Sequence, residues 1–121
     1  MKRINITINE DSYPAELNNT KTAQAVYDVL PIEAEANFWG EEIYFAIPLK
    51  MDNEKPTEKV RVGDLAYWPQ GNAFCIFYGR TPGSRDGEPK PYSPCTVIGK
   101  FKGEIEELKN LSSARVKLEK I

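Results

Sequence analysis

Glu41, Tyr67, Trp68 and Arg80 carry charge or hydrogen-bonding capacity beside large aromatic rings, and any chemistry in this chain starts with them. Glu41 and Glu42 are adjacent, so on a strand they point to opposite faces and cannot act as a carboxylate pair. Glu41 runs in phase with Ile43 and Phe45, which are read as inward. A carboxylate there either binds a cation or serves as a base with a raised pKa, or it pairs with Arg80 or Arg61 or is simply solvated. Arg80, in Arg80-Thr81-Pro82, either clamps a ligand carboxylate with its planar fork or anchors a loop. Tyr67-Trp68-Pro69 with Phe74, Phe77 and Tyr78 is either an apolar cleft for a peptide or small ligand or ordinary core, with Tyr67 or Trp68 best placed for a rim.

What is missing is equally informative. The chain has no histidine, which excludes Ser–His and Cys–His nucleophile pairs and removes the commonest zinc ligand. Cys75 alternates with Ala73 and Phe77 and is expected to be buried and inert. Cys95, after Pro94, has no activating neighbour. Two cysteines alone make no closed zinc site, so no metal and no cofactor is expected. Gly83-Ser84-Arg85-Asp86-Gly87 lacks the spacing of a phosphate-binding loop and reads as a flexible turn.

The elements that must position these residues are short. Ile4, Ile6 and Ile8 alternate with Asn5 and Thr7, a half-buried strand. Asn9 to Ser12 is turn chemistry, and Tyr13 to Leu17 completes a hairpin. Asn18-Asn19-Thr20 offers caps for a helix with Ala23, Val26, Tyr27 and Leu30 on one side, which Pro31 stops. From Ile32 the period is two up to Phe38, with a bend at Trp39-Gly40 and a further alternation from Glu42 to Ile47. Val60 to Val62, Leu65 to Trp68, Ala73 to Tyr78 and Cys95 to Phe101 read as strands, Glu104 to Leu111 as a second short helix, and Val116 onward as a last strand. Residues 80–94, with four prolines and two glycines, read as a long surface loop or flap. Many short antiparallel strands in one chain point to a sandwich or a barrel.

The 121 residues suit one domain over the whole chain. With 16 Lys+Arg against 18 Asp+Glu, the formal charge is −2 and no basic stripe exists, which argues against nucleic acid. No stretch nears the roughly 20 apolar residues of a membrane-spanning helix. The start, Met1-Lys2-Arg3-Ile4-Asn5, shows no apolar signal core, so a cytoplasmic protein is expected.

Two strings point further. Asn37-Phe38-Trp39-Gly40-Glu41-Glu42-Ile43-Tyr44-Phe45 and the run Val62 to Pro82, which includes Gly63-Asp64-Leu65-Ala66-Tyr67-Trp68-Pro69-Gln70-Gly71, resemble the small cyclophilin-like family of archaea and bacteria, known mainly as conserved proteins of unknown function. The resemblance covers nearly the whole chain. It implies a mainly β fold, a closed eight-stranded barrel with two short capping helices. True cyclophilins carry a Phe-His-Arg motif whose arginine lies beside the substrate proline. Here the motif is absent, and none of Arg3, Arg61, Arg80, Arg85 or Arg115 sits in a matching context.

The reading that follows is a non-catalytic domain for a small molecule or peptide, with Trp39, Glu41, Tyr67, Trp68, Phe77 and Arg80 as candidate ligand-binding residues. The alternative is an enzyme of the same fold, a divergent prolyl isomerase or one acting on small amides or imides, with Glu41, Arg80 and Tyr67 as carriers. A third reading is an assembly module, in which Tyr44 or Trp39, exposed on an outer strand face, supports a homodimer. A monomer and a homodimer are both compatible with the sequence.

Overall fold

The computed structural model describes residues 2–121. β1 (Lys2–Ile8) and β2 (Asp11–Leu17) pair antiparallel with Ile8 opposite Asp11, so the turn is only Asn9-Glu10, shorter than the four polar residues suggest. Asn9 adopts φ +56°, which a two-residue hairpin demands and asparagine tolerates. Its side chain is anchored to the far end of the chain: Arg115 N donates to its Oδ1 at 3.0 Å and its Nδ2 donates to Ser113 O at 3.2 Å.

The helix forms where its caps stand. In α1 (Lys21–Asp28), Thr20 accepts from Ala23 N at 3.1 Å. The first turn has no acidic residue of its own, and Glu54 supplies one from a distant loop by accepting from Lys21 N and Thr22 N. The helix lies against β2 and the strand Thr96–Phe101, burying Thr22, Ala23 and Val26. The second expected helix is instead a 3-10 segment, Ile105–Asn110. Of its residues only Leu108 is buried, and no side chain caps its start, so little favours a full α-turn.

The remaining strands are β3 (Ile32–Glu35), β4 (Asn37–Phe38), β5 (Glu42–Ala46), β6 (Asp64–Trp68), β7 (Ala73–Phe77), β8 (Thr96–Phe101) and β9 (Arg115–Lys120). The expected strand at Val60 to Val62 is not formed: Arg61 N donates to Asp64 Oδ2 at 2.8 Å, and this Asx-type link bends the chain into a turn. The sheet order is β3-β9-β1-β2-β8-β6-β7-β5-β4, all antiparallel. Its two end strands are consecutive in the chain, separated only by Ala36, whose N–H donates to Ala114 O at 2.8 Å. The covalent chain therefore closes the ring. The barrel is nearly closed and has nine strands rather than eight, because the Ile32–Phe38 run breaks at Ala36.

Inside, alternate residues of each strand meet. Ile4, Ile43, Leu65, Phe74, Ile98 and Leu118 are fully buried in one cluster. Between Leu65 and Ala66 the register against β8 shifts by one, leaving Ile98 as the extra residue of a bulge that still points inward.

β7 departs from half-burial: all five of its residues are buried. Its inward residues, Phe74 and Ile76, join the barrel core. Its outward residues, Ala73, Cys75 and Phe77, form a second cluster with Val60, Ala66 and Cys95. Pro91, Tyr92 and Cys95 lie over this outer face. No helix among the described residues is long and apolar enough to cross a membrane.

Candidate functional site

Between the outer face of β5, β6 and β7 and the overlying 80–95 segment is a cavity of about 220 Å³. β5 contributes Glu42 and Tyr44, β6 contributes Trp68, and β7 contributes Cys75 and Phe77. The β4–β5 turn adds Trp39, and the covering segment adds Pro91, Tyr92 and Cys95. Register explains the grouping, since Tyr44 stands opposite Cys75 and Glu42 opposite Phe77, all four on the outward phase. A second depression, lined by Glu58, Lys59, Arg61, Arg85, Asp86 and Glu88 among others, mixes both signs of charge and has no aromatic ring.

The cover is fixed at several points. Thr81 Oγ1 donates to Lys90 O at 2.6 Å and accepts from Lys90 N at 3.1 Å, which closes the neck of the 80–90 excursion. Trp68 Nε1 donates to Ser93 Oγ at 2.6 Å, and Ser93 Oγ donates on to Gln70 Oε1 at 2.9 Å. Cys95 and Thr57 exchange backbone hydrogen bonds at 2.9 and 3.0 Å. The segment read from sequence as a long surface loop or flap is tethered at these points, and its Pro91 and Tyr92 form part of the wall.

The rings stand nearly at right angles to one another. Trp39 and Tyr92 are edge to face at 5.8 Å and 76°, Trp68 and Tyr92 at 5.9 Å and 79°, and Tyr44 and Trp68 at 6.5 Å and 80°. Glu42, 6% exposed, stands among them. Burial pushes its carboxyl up to about 7, with the Cys75 thiol partly opposing the rise. Among the described residues Glu42 has no ion-pair partner, and no lysine or arginine lines the cavity. Burial, with the Glu42 charge second, pushes both thiols up, Cys95 to about 12 and Cys75 well above its ordinary value. Neither is a thiolate nucleophile near neutrality. No group of three or more Cys, Asp or Glu side chains placed to hold a metal occurs among the described residues.

Three of the six residues singled out from sequence, Trp39, Trp68 and Phe77, line this cavity. The other three do not. Tyr67 is fully buried on the inner face, where its hydroxyl donates to Leu49 O at 2.7 Å and accepts from Met51 N at 3.2 Å. Glu41 precedes β5, and its Oε1 accepts from Arg80 N at 3.2 Å, a backbone link rather than an ion pair. Arg80 is exposed and points no charge into the cavity lining. Tyr44 and Trp39, read from sequence as exposed on an outer face, are half-buried walls of the cavity.

The sequence reading missed Glu42, Tyr44, Pro91 and Tyr92. One signal was available. The unbroken apolar run Ala73-Phe74-Cys75-Ile76-Phe77 is that of a strand covered on both faces, and a covered outer face takes in the outward phase of the neighbouring strand.

Fold and site now stand beside known proteins. The family described as Cyclophilin-like matches residues 2–119, and the chain belongs to that family. It is similar to the hypothetical protein AF2241 from Archaeoglobus fulgidus, known from a solution structure. The two share 33% identity at a TM-score of 0.82, over 99% of this chain and 95% of that one. It also shares its fold with McbB, solved in complex with tryptophan, at 16% identity and a TM-score of 0.72; the match spans 97% of this chain and 44% of that one. No curated protein matches the sequence.

Proposed function

We propose that this chain is a binding domain that seats a ring-sized apolar group, from a small molecule or a peptide side chain, in the covered pocket between β5, β6, β7 and residues 91–95. The observation that carries this is a tethered cavity walled by Trp39, Tyr44, Trp68 and Tyr92 with one buried carboxyl, Glu42, among them. Apolar walls with a single convergent polar group are the usual make-up of small-ligand sites. Size supports it too: an engineered apolar cavity of about 150 Å³ holds benzene, and this one is about 220 Å³. The absence of cationic groups from the lining disfavours nucleic acid as the ligand.

The test uses the protein's own reporters. Trp39 and Trp68 are the only tryptophans, and both line the pocket. Titration with indole, tryptophan and short proline-containing peptides is expected to change their emission and to raise Tm with the logarithm of ligand concentration above Kd. Tryptophan belongs in the panel because a protein of the same fold was solved with it. No response in either readout from any of them would sink the reading.

One observation favours a second reading, an enzyme. A buried carboxyl poised near 7 inside a cavity has the properties of a general base. In such an enzyme Glu42, rather than Glu41, Arg80 or Tyr67, would move the proton. The thiols are held protonated and histidine is missing, so no Cys–His or Ser–His pair supports the enzyme reading, and binding ranks first. Two free cysteines fit a reducing compartment, which makes a cytoplasmic setting part of the same proposal. A monomer suffices for it, because one chain supplies every wall of the pocket.

A further inference from the structure

The pocket holds a feature that a site for a neutral ring does not require. The Glu42 carboxyl, only 6% exposed and pushed up to about 7 by burial, faces no lysine or arginine among the described residues. Buried charges are ordinarily paired, because desolvating one alone is costly. Five aromatic side chains line the pocket with it, Trp39, Tyr44, Trp68, Phe77 and Tyr92, and three ring pairs among them meet between 76° and 80°. Trp39, Tyr44, Trp68 and Tyr92 all line the cavity, and an aromatic face carries the negative lobe of the ring's quadrupole. Carboxyl and ring faces together make a site of one electrostatic sign, and its complement is a cation.

The chemistry narrows which cation. A metal ion needs several oxygen or nitrogen ligands, and no such group exists among the described residues. A primary ammonium brings three N–H donors, and a guanidinium brings five. Glu42 is the only charged acceptor in the lining, and most of the remaining wall is ring carbon and sulfur. Donors left unpaired in such a place are penalised. An N-methylated or quaternary ammonium has few or no N–H groups to satisfy, offers a methyl surface to the rings, and carries a diffuse charge that cation–π contact rewards.

We infer that the pocket between Trp39, Tyr44, Trp68 and Tyr92, with Glu42 as counter-ion, is a cage for an alkylated ammonium group. This deepens the binding reading above and rests on it. The cage predicts a pH response, because protonating Glu42 removes the counter-charge. The titratable groups that share the pocket with it are the Cys75 thiol of β7, the Cys95 thiol just before β8, the Tyr44 phenol of its own strand and the Tyr92 phenol of the cover. Glu58 and Asp64 act from beyond Cys95. Neither thiol ionises near pH 7.

The experiment compares choline with 3,3-dimethyl-1-butanol, its neutral isostere in which carbon replaces nitrogen, by tryptophan emission at pH 8 and constant ionic strength. Sodium chloride serves as the salt control. The expected result is binding of choline at least about tenfold tighter than the alcohol, an electrostatic preference of ordinary cation–π and ion-pair size. The preference is expected to collapse in Glu42→Gln and, in the unmodified protein, on lowering the pH from 8 to 5.5. Equal affinity for choline and the alcohol overturns the ammonium cage while leaving a neutral-ligand pocket standing. A response to indole with none to choline does the same. A tenfold preference that survives both Glu42→Gln and acidification removes Glu42 as counter-ion and overturns the assignment. Silence from choline, the alcohol and indole alike overturns both this inference and the pocket itself.

Discussion

Trp68 Nε1 lies 2.6 Å from Ser93 Oγ, and this one hydrogen bond joins a strand of the barrel to the segment that roofs its outer face. Without it the indole N–H is left without its partner, and the cover loses its link to β6. Ser93→Ala is expected to cost about 1 kcal/mol in denaturant unfolding. Amide exchange at Lys90 and Cys95, whose N–H groups donate to Thr81 Oγ1 and Thr57 O, should quicken by more than exchange in the barrel strands, since the loss acts on a local opening. Uniform loss of protection across the whole barrel would contradict the role of Ser93 as a tether.

Glu42 makes stability depend on pH. In the unfolded chain its carboxyl titrates near 4.5; in the folded protein burial holds the proton up to about 7. A raised folded pKa contributes stability that is fully present below about pH 4.5 and is lost as pH rises through 7. At about 1.4 kcal/mol per unit, the shift is worth about 3 kcal/mol. Glu42→Gln should therefore flatten the stability profile between pH 4.5 and 7 and leave the variant more stable than the parent at pH 8. Chemical denaturation at a series of pH values checks this, and parallel profiles would place the shift elsewhere.

Tyr67 separates core from site. Its hydroxyl serves Leu49 O and Met51 N from the barrel interior, at 2.7 and 3.2 Å. Tyr67→Phe leaves a part-buried N–H and carbonyl without their hydroxyl partner and is expected to cost about 1–3 kcal/mol in unfolding free energy. Affinity for a pocket ligand should change less than twofold, since Tyr67 faces away from the cavity. A large loss of affinity with little change in stability would reverse that placement.

Gly40 must remain glycine for two reasons that add. Its φ is +59°, and a Cβ there would lie 2.8 Å from Thr81 Cα and from Pro82 Cδ. Gly40→Ala is expected to destabilise by more than about 1 kcal/mol from backbone strain alone, with the clash added. Because Trp39 adjoins the turn, its emission should shift as well. Thermal unfolding with fluorescence detection reads both, and an unchanged Tm would refute the close approach of this turn to residues 80–82.

Much of the barrel was legible because a strand's side-chain alternation is local. Ile4, Ile6 and Ile8, Ile43 and Phe45, and Val116 and Leu118 declare their inward phase within a few residues, and Pro31 ends the helix run by its own geometry. The Trp-Gly-Glu-Glu and Gly-Asp-Leu-Ala-Tyr-Trp-Pro strings were enough for the family. Adjacent residues on opposite faces were legible too: Glu41 against Glu42, Tyr67 against Trp68.

Which face would hold the pocket was decided only by tertiary structure. A strand's phase says that Glu42 and Glu41 diverge, but not which of the two will be roofed. The roof comes from residues 91–95, about fifty positions away, held by Ser93 on Trp68 and by Cys95 on Thr57. A contact across that separation leaves no periodic trace in either segment. The sequence by itself thus determined the mainly β class, the family and the inward phase of most strands. Closure of residues 91–95 over the outer face moved the candidate carboxyl from Glu41 to Glu42, because burial of an outward face depends on what the rest of the chain lays upon it; Tyr67 went to the core with Leu65 by the phase of β6.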